Sequence, residues 1–217
     1  MGVRWTRWAP LAGPVFAIVL LVAVFLPSGP NSNASGASVA TYYADHGTSQ
    51  NIVAYLFAAA AVLVVVFGAV LYSRLLPGSK SRGLITAGFG GAVMIAVGAA
   101  LVAGTTISLT DVPTAISPAA NQALNIANSD VPFIPILVGL VLFMAGYGIA
   151  IVCGDVLPGW LGWVAIVLAL ASLAGQIGPV GFFTGLLAIL WVAVVGVWLC
   201  VRDWRSPRPA EPATSAA

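Results

Sequence analysis

Residues 52–72 read IVAYLFAAAAVLVVVFGAVLY. No Asp, Glu, Lys, Arg or His interrupts the run, and at about 1.5 Å per residue a helix of this length crosses the roughly 30 Å hydrocarbon core of a bilayer. A helix that is apolar on every face needs lipid or a large core around it. Working outward, Arg74 and Pro77 close the run at one end, and Thr48 or Ser49 stands where a cap for its start belongs. Runs of the same kind recur, so the expected spans are six: near 9–27, 50–76, 83–108, 132–153, 158–176 and 181–201. Pro27, Asp111, Pro113, Pro132, Gly154 and Gly175-Gln176-Ile177-Gly178-Pro179 sit at their boundaries as breakers. The expected fold is all-α, a polytopic transmembrane helix bundle over residues 1–204. The tail at 205–217 is rich in Pro, Ala and Ser and is expected to be disordered.

Composition agrees. Of 217 residues, 60% are hydrophobic and 6% charged, against about a quarter charged in soluble domains. Eight Lys and Arg with a net charge of +2 are too few for a phosphate-tracking surface, so nucleic acid is not an expected partner. The expected partner is the lipid bilayer, with a membrane protein or a second copy of the chain also open.

Arg4, Arg7, Arg74, Lys80, Arg82, Arg202, Arg205 and Arg208 all fall on one side of the six-span arrangement. By the positive-inside rule that side is cytoplasmic and holds both termini. Trp5, Trp8, Trp160, Trp163 and Trp204, with Trp198, collect at the same boundary, where indoles anchor. A competing reading of the start is a secretory signal, with Arg4 and Arg7, an apolar stretch from Leu11 to Leu26, and small residues from Ala34 to Ala40. Those small residues lie far beyond Leu26, and Pro27, Gly29 and Pro30 read better as the exit from a retained helix.

Two outside segments are expected to form short interfacial helices. In one, Val39, Tyr42, Tyr43 and His46 share a face and Gly47 ends the helix. In the other, Ser117 caps and Pro118 opens a helix with an apolar face of Ala120, Ala123, Leu124 and Ala127 and a polar face of Asn121, Gln122, Asn125 and Asn128. His46 is the only histidine. With Asp45, Asp111 and Asp130 it makes a weak outside polar set, imaginable as a metal site, but adjacent Asp45 and His46 point in different directions and a solvated loop is the expectation. No catalytic, cofactor-binding or metal residue is expected. Cys153 and Cys200 fall at cytoplasmic helix ends, where reduced packing thiols are the default.

Gly88, Ala92, Ala96, Ala100 and Gly104 recur every four residues, giving one helix a ridge that a neighbour can approach closely. That neighbour is another helix of the chain or a second copy; with six helices to pack, the first is expected. None of the spans carries an ionisable group in its apolar body, which argues against ion-coupled transport. Tyr55, Thr86, Tyr147, Ser172 and Thr184 are the polar groups at depth, expected to bond between helices.

The Tyr42-Tyr43-Ala44-Asp45-His46 segment, the Leu71-Tyr72-Ser73-Arg74-Leu75-Leu76 helix end, Asn121-Gln122-Ala123-Leu124, and Leu157-Pro158-Gly159-Trp160-Leu161-Gly162-Trp163 occur in an order that resembles uncharacterised multi-pass membrane proteins of bacteria, of the actinobacterial type, in the domain-of-unknown-function class. The resemblance covers most of residues 8–201, implies a bacterial inner-membrane protein, and transfers no active site. The leading expectation is a non-enzymatic structural, accessory or sensing protein. A permease-like or lipid-handling protein without ion coupling is the alternative, favoured if Tyr55, Tyr147 and Gln176 line a common groove. An enzyme is least supported, because neither a nucleophile-base pair nor paired carboxylates occur at useful spacing. Asp45→Cys is expected to react with an impermeant thiol reagent from outside the cell only, and Lys80→Cys from inside only. Reaction of both from one side contradicts the topology.

Overall fold

The computed structural model describes residues 8–27, 29–77, 79–174 and 180–205. Trp5, the Gly-Pro turn at 175–179 with Gln176, and the tail at 206–217 lie outside the described residues. Every regular element described is helical: a 3-10 turn, Ala9–Leu11, then α1 (Ala12–Phe25), α2 (Gly36–Leu75), α3 (Arg82–Asp111), α4 (Pro118–Asp130), α5 (Phe133–Val152), α6 (Gly159–Ala174) and α7 (Val180–Arg205). By length and composition, α2, α3, the Pro118–Val152 run and the Phe183–Arg205 part of α7 are each sufficient to cross a membrane. The Ala9–Phe25 and Gly159–Ala174 stretches are apolar but shorter, so four helices rather than six meet the length requirement. Val62, Val97, Leu142, Leu170 and Leu190 are among many large apolar side chains turned outward. Such a belt is foreign to a surface in water.

The first outside helix and the second span are one element. Gly47 does not end the helix; the chain bends at His46 (φ −115°, ψ 15°) and continues to Leu75. A glycine inside a helix costs about 1 kcal/mol, which packing on both sides of the bend outweighs. Ser49 donates to the His46 carbonyl at 2.9 Å across it.

The six apolar helices pack in cyclic order: α1 on α2, α2 on α3, α3 on α5, α5 on α6, α6 on α7, and α7 back on α1. At one end of the ring Arg74 of α2 forms a two-pronged ion pair with Asp203 of α7, at 3.1 and 2.5 Å. Trp8 meets Trp204 edge to face, with ring centres 5.5 Å apart. All the basic residues described, Arg74, Lys80, Arg82, Arg202 and Arg205, belong to this end.

At the other end α4 lies over α2 and α3. Ser117 caps it, accepting from the Ala120 amide at 3.3 Å. Its polar face points inward: Asn121 and Asn125 are buried and Ala123 is exposed, the reverse of what an interfacial helix suggests. The cause is the proline-rich connections, which lack amide donors and leave carbonyls to be satisfied. Asn125 donates to Pro30 and Asn31 carbonyls at 3.3 and 3.1 Å, and Asn121 to Pro113 at 2.8 Å. Gln50 reaches Pro27 at 2.9 Å and the Tyr42 hydroxyl at 3.1 Å.

The tightest seam joins α3 to α5. A Cβ on Gly91 would lie 2.3 Å from the Phe143 nitrogen, one on Gly139 2.6 Å from the Ile95 nitrogen, and one on Gly146 2.5 Å from the Leu84 carbonyl. These are backbone atoms, which cannot step aside. Gly91 with Gly98, and Gly139 with Gly146, repeat every seven residues, the period of left-handed helix pairs. The four-residue ridge read from the sequence coincides with this packing only in part. Gly88 lies against the Tyr147 ring and Ala92 is buried beside Gly68, whereas Ala96 is half-buried and Ala100 and Gly104 face outward. Gly91→Ala is expected to destabilise the bundle by about 1–3 kcal/mol in a detergent thermal-shift assay. Its neighbour Gly90, with nothing within 4 Å of a Cβ, should tolerate alanine without loss. Equal losses at 90 and 91 would refute the seam.

Candidate functional site

A ring of six helices leaves a central space that side chains must fill. Toward the basic end they do. Phe67, Phe143, Met144, Tyr147 and Trp191 are buried there, with Phe143 edge-on to both Tyr147 and Trp191 at ring-centre distances of 5.1 and 6.2 Å. The polar tips of two of these rings are satisfied inside the protein, Tyr147 donating to the Gly68 carbonyl at 2.6 Å and Trp191 to the Leu161 carbonyl at 2.9 Å. The result is a plug that ties α5 to α2 and α7 to α6.

Toward the capped end the filling stops. Gly185 and Ala188 of α7 face Leu20 and Val24 of α1, Phe57 of α2, and Ile136 and Leu140 of α5 around a cavity of about 230 Å³, with Ile95 of α3 on its wall. Every described residue that lines it is apolar. A void of this chemistry stays dry, and it exceeds the roughly 150 Å³ at which engineered apolar cavities take up benzene. Among the described residues, no side-chain donor, acceptor or charge in its wall selects a polar solute. What it can hold is hydrocarbon.

The sequence candidates fall elsewhere. Asp45, His46, Asp111 and Asp130 are all exposed on the cap. His46 stacks on Tyr42 with ring centres 4.4 Å apart, its Nδ1 3.0 Å from the Tyr42 carbonyl oxygen. No group of three His, Cys, Asp or Glu able to hold a metal forms among the described residues. The cap is closed below them by Tyr43, whose phenol burial pushes up to about 12, Tyr42 adding to the rise and a hydrogen bond with Asn128 opposing it. Tyr55 is exposed on the outer surface and Tyr147 sits in the plug, so those two do not line a common groove. Of the anchors, Trp8, Trp160, Trp163 and Trp204 are more than half exposed, at 56%, 55%, 60% and 62%, as membrane-interface indoles should be. Cys153 is exposed and Cys200 buried.

Sequence reading missed the cavity because its lining helices are apolar all round, so periodicity does not distinguish their inner faces. One signal was available. Gly185, four residues after Gly181, reads as half of a packing motif, but a Cβ there would meet nothing within 4 Å, and an unpacked glycine on an inner face marks a void.

The chain matches no protein-family model, no curated protein and no solved structure. Gly185→Leu, which fills the void, is expected to raise the detergent melting temperature or leave it unchanged, while Gly146→Leu lowers it sharply. A comparable drop for both would mean that the space beside Gly185 is absent.

Proposed function

We propose that this protein is a non-enzymatic integral membrane protein of the bacterial inner membrane, with six spans and both termini cytoplasmic, that holds the hydrocarbon part of a lipid inside its helix ring. Its role is accessory or sensing, and it involves no ion coupling. The observation that carries this reading is the cavity of about 230 Å³, apolar at every described residue that lines it. An unfilled void forfeits dispersion contacts on every wall. A lipid chain entering from the bilayer restores them without leaving an apolar solvent, so little hydration free energy opposes the exchange. The aromatic plug argues for holding rather than conducting, since it occupies the ring interior beyond the cavity.

The basic end, with its exposed indoles, supports a cytoplasmic assignment for that side. The two shorter apolar helices complete six crossings if the membrane thins locally or flanking side chains reach its surface, both modest adjustments.

The test is a phospholipid carrying a diazirine on its acyl chain, photolysed in proteoliposomes and mapped by peptide mass spectrometry. Labelling of cavity residues such as Leu140 and Ala188, lost in Gly185→Leu/Ala188→Phe, is the expected outcome. Labels confined to outward-facing residues and unchanged in that variant would reject lipid holding.

A further inference from the structure

We infer that a second site, at the basic end and outside the ring, binds an anionic phospholipid. The inference rests on the membrane reading above but not on the cavity. A groove of about 1170 Å³ runs between the segment joining α5 to α6 and the C-terminal half of α7. Its α7 wall is a stripe of Val194, Val197, Trp198 and Val201, spaced at i, i+3, i+4 and i+7 and so on one helix face. All four are substantially exposed, at 38%, 50%, 44% and 43%. The stripe extends about 10 Å along the helix axis and then changes character: the next residues lining the groove are Arg202 and Arg205.

This is the layout of a phospholipid, a hydrocarbon length followed by an anion-binding end. Depth agrees with it. Trp204 stands between the two arginines in sequence, and Trp160 and Trp163 follow Gly159 of the opposite groove wall; these exposed indoles mark the level of the headgroups. Charge selects the lipid class. Among the described residues lining the groove Asp155 is the only carboxylate, against two guanidiniums, and neighbouring Asp203 is committed to Arg74 at 2.5 Å. Arg202 also donates to the Val156 carbonyl, which fixes it to the opposite rim of the groove. Guanidinium groups recognise phosphate oxygens in a planar, two-pronged manner. A net positive rim matches a headgroup with net negative charge, such as phosphatidylglycerol, better than a zwitterionic one.

The experiment is native mass spectrometry of the full chain released from nanodiscs that contain equal amounts of phosphatidylglycerol and phosphatidylcholine with identical acyl chains. Preferential retention of phosphatidylglycerol is expected, falling roughly fivefold in apparent affinity for each of Arg202→Gln and Arg205→Gln. Lys80→Gln removes a basic residue at the same end but outside the groove and should leave the preference intact. Val197→Trp, which obstructs the apolar stripe without touching charge, should also reduce retention. Equal retention of the two lipids by the wild-type chain would overturn the proposal. So would loss of the preference in Lys80→Gln alone, or competition by inorganic phosphate as effective as that by phosphatidylglycerol. A chain dimer in place of the lipid adduct, lost in Val197→Trp, would assign the groove to a second copy and overturn it likewise. Failure of the chain to enter nanodiscs at all would strike the membrane reading instead, which keeps the two failures distinct.

Discussion

The contact on which the architecture depends is backbone against backbone, where Gly91 of α3 meets Gly139 and Phe143 of α5. In lipid no hydrophobic force drives helices together, since a hydrocarbon tail is as apolar as leucine. Close approach gives what water cannot, a continuous area of dispersion contact and short carbonyl-to-Cα distances. Because α4 intervenes in the chain between α3 and α5, this seam also decides the cyclic order. It turns the two helices antiparallel and leaves α1 and α7 to close the ring on the far side. Smaller versions of the device recur there, where Gly196 of α7 receives Pro14, and between α5 and α6, where Gly148 and Gly162 face each other.

From the ring follow both its plug and its void. Large rings at one level satisfy the interior, and their polar atoms reach main-chain carbonyls of neighbouring helices, so burial costs little. At the other level glycine and alanine on α7 leave space that none of the described side chains fills. The cap is held by a different kind of interaction altogether. Amide side chains of Gln50, Asn121 and Asn125 replace the donors that the proline-rich connections lack. One end of the molecule is therefore ordered by hydrogen bonds to loops and the other by an ion pair and indole contacts.

The helices themselves were legible in the sequence, because lipid demands long uncharged runs and Pro and Gly punctuate them. The basic end was legible for a similar reason, each cation being excluded from hydrocarbon. Which face of each helix turns inward was not. Leu140 and Leu142 are equally apolar, yet one lines the cavity and the other is exposed. The same ambiguity displaced the glycine seam. A four-residue row in α3 is visible by inspection, but the seven-residue repeat of Gly91 and Gly98 acquires meaning only beside the matching repeat of Gly139 and Gly146 in another helix. On α4, polarity pointed the wrong way because the partners of Asn121 and Asn125 are carbonyls distant in sequence.

Ring closure is the claim from which cavity, plug and groove all derive, and it can be measured directly. In a chain carrying Cys153→Ala and Cys200→Ala, cysteines at positions 8 and 204 would replace the indoles whose ring centres lie 5.5 Å apart. A protease site placed in the connection between α2 and α3 separates them after cutting. A short bifunctional thiol reagent applied to native membranes should hold the two fragments together on a denaturing gel, with the pair 45 and 204, at opposite ends, giving none. Separate fragments from the 8 and 204 pair, with both thiols shown to be reactive, would contradict a closed ring.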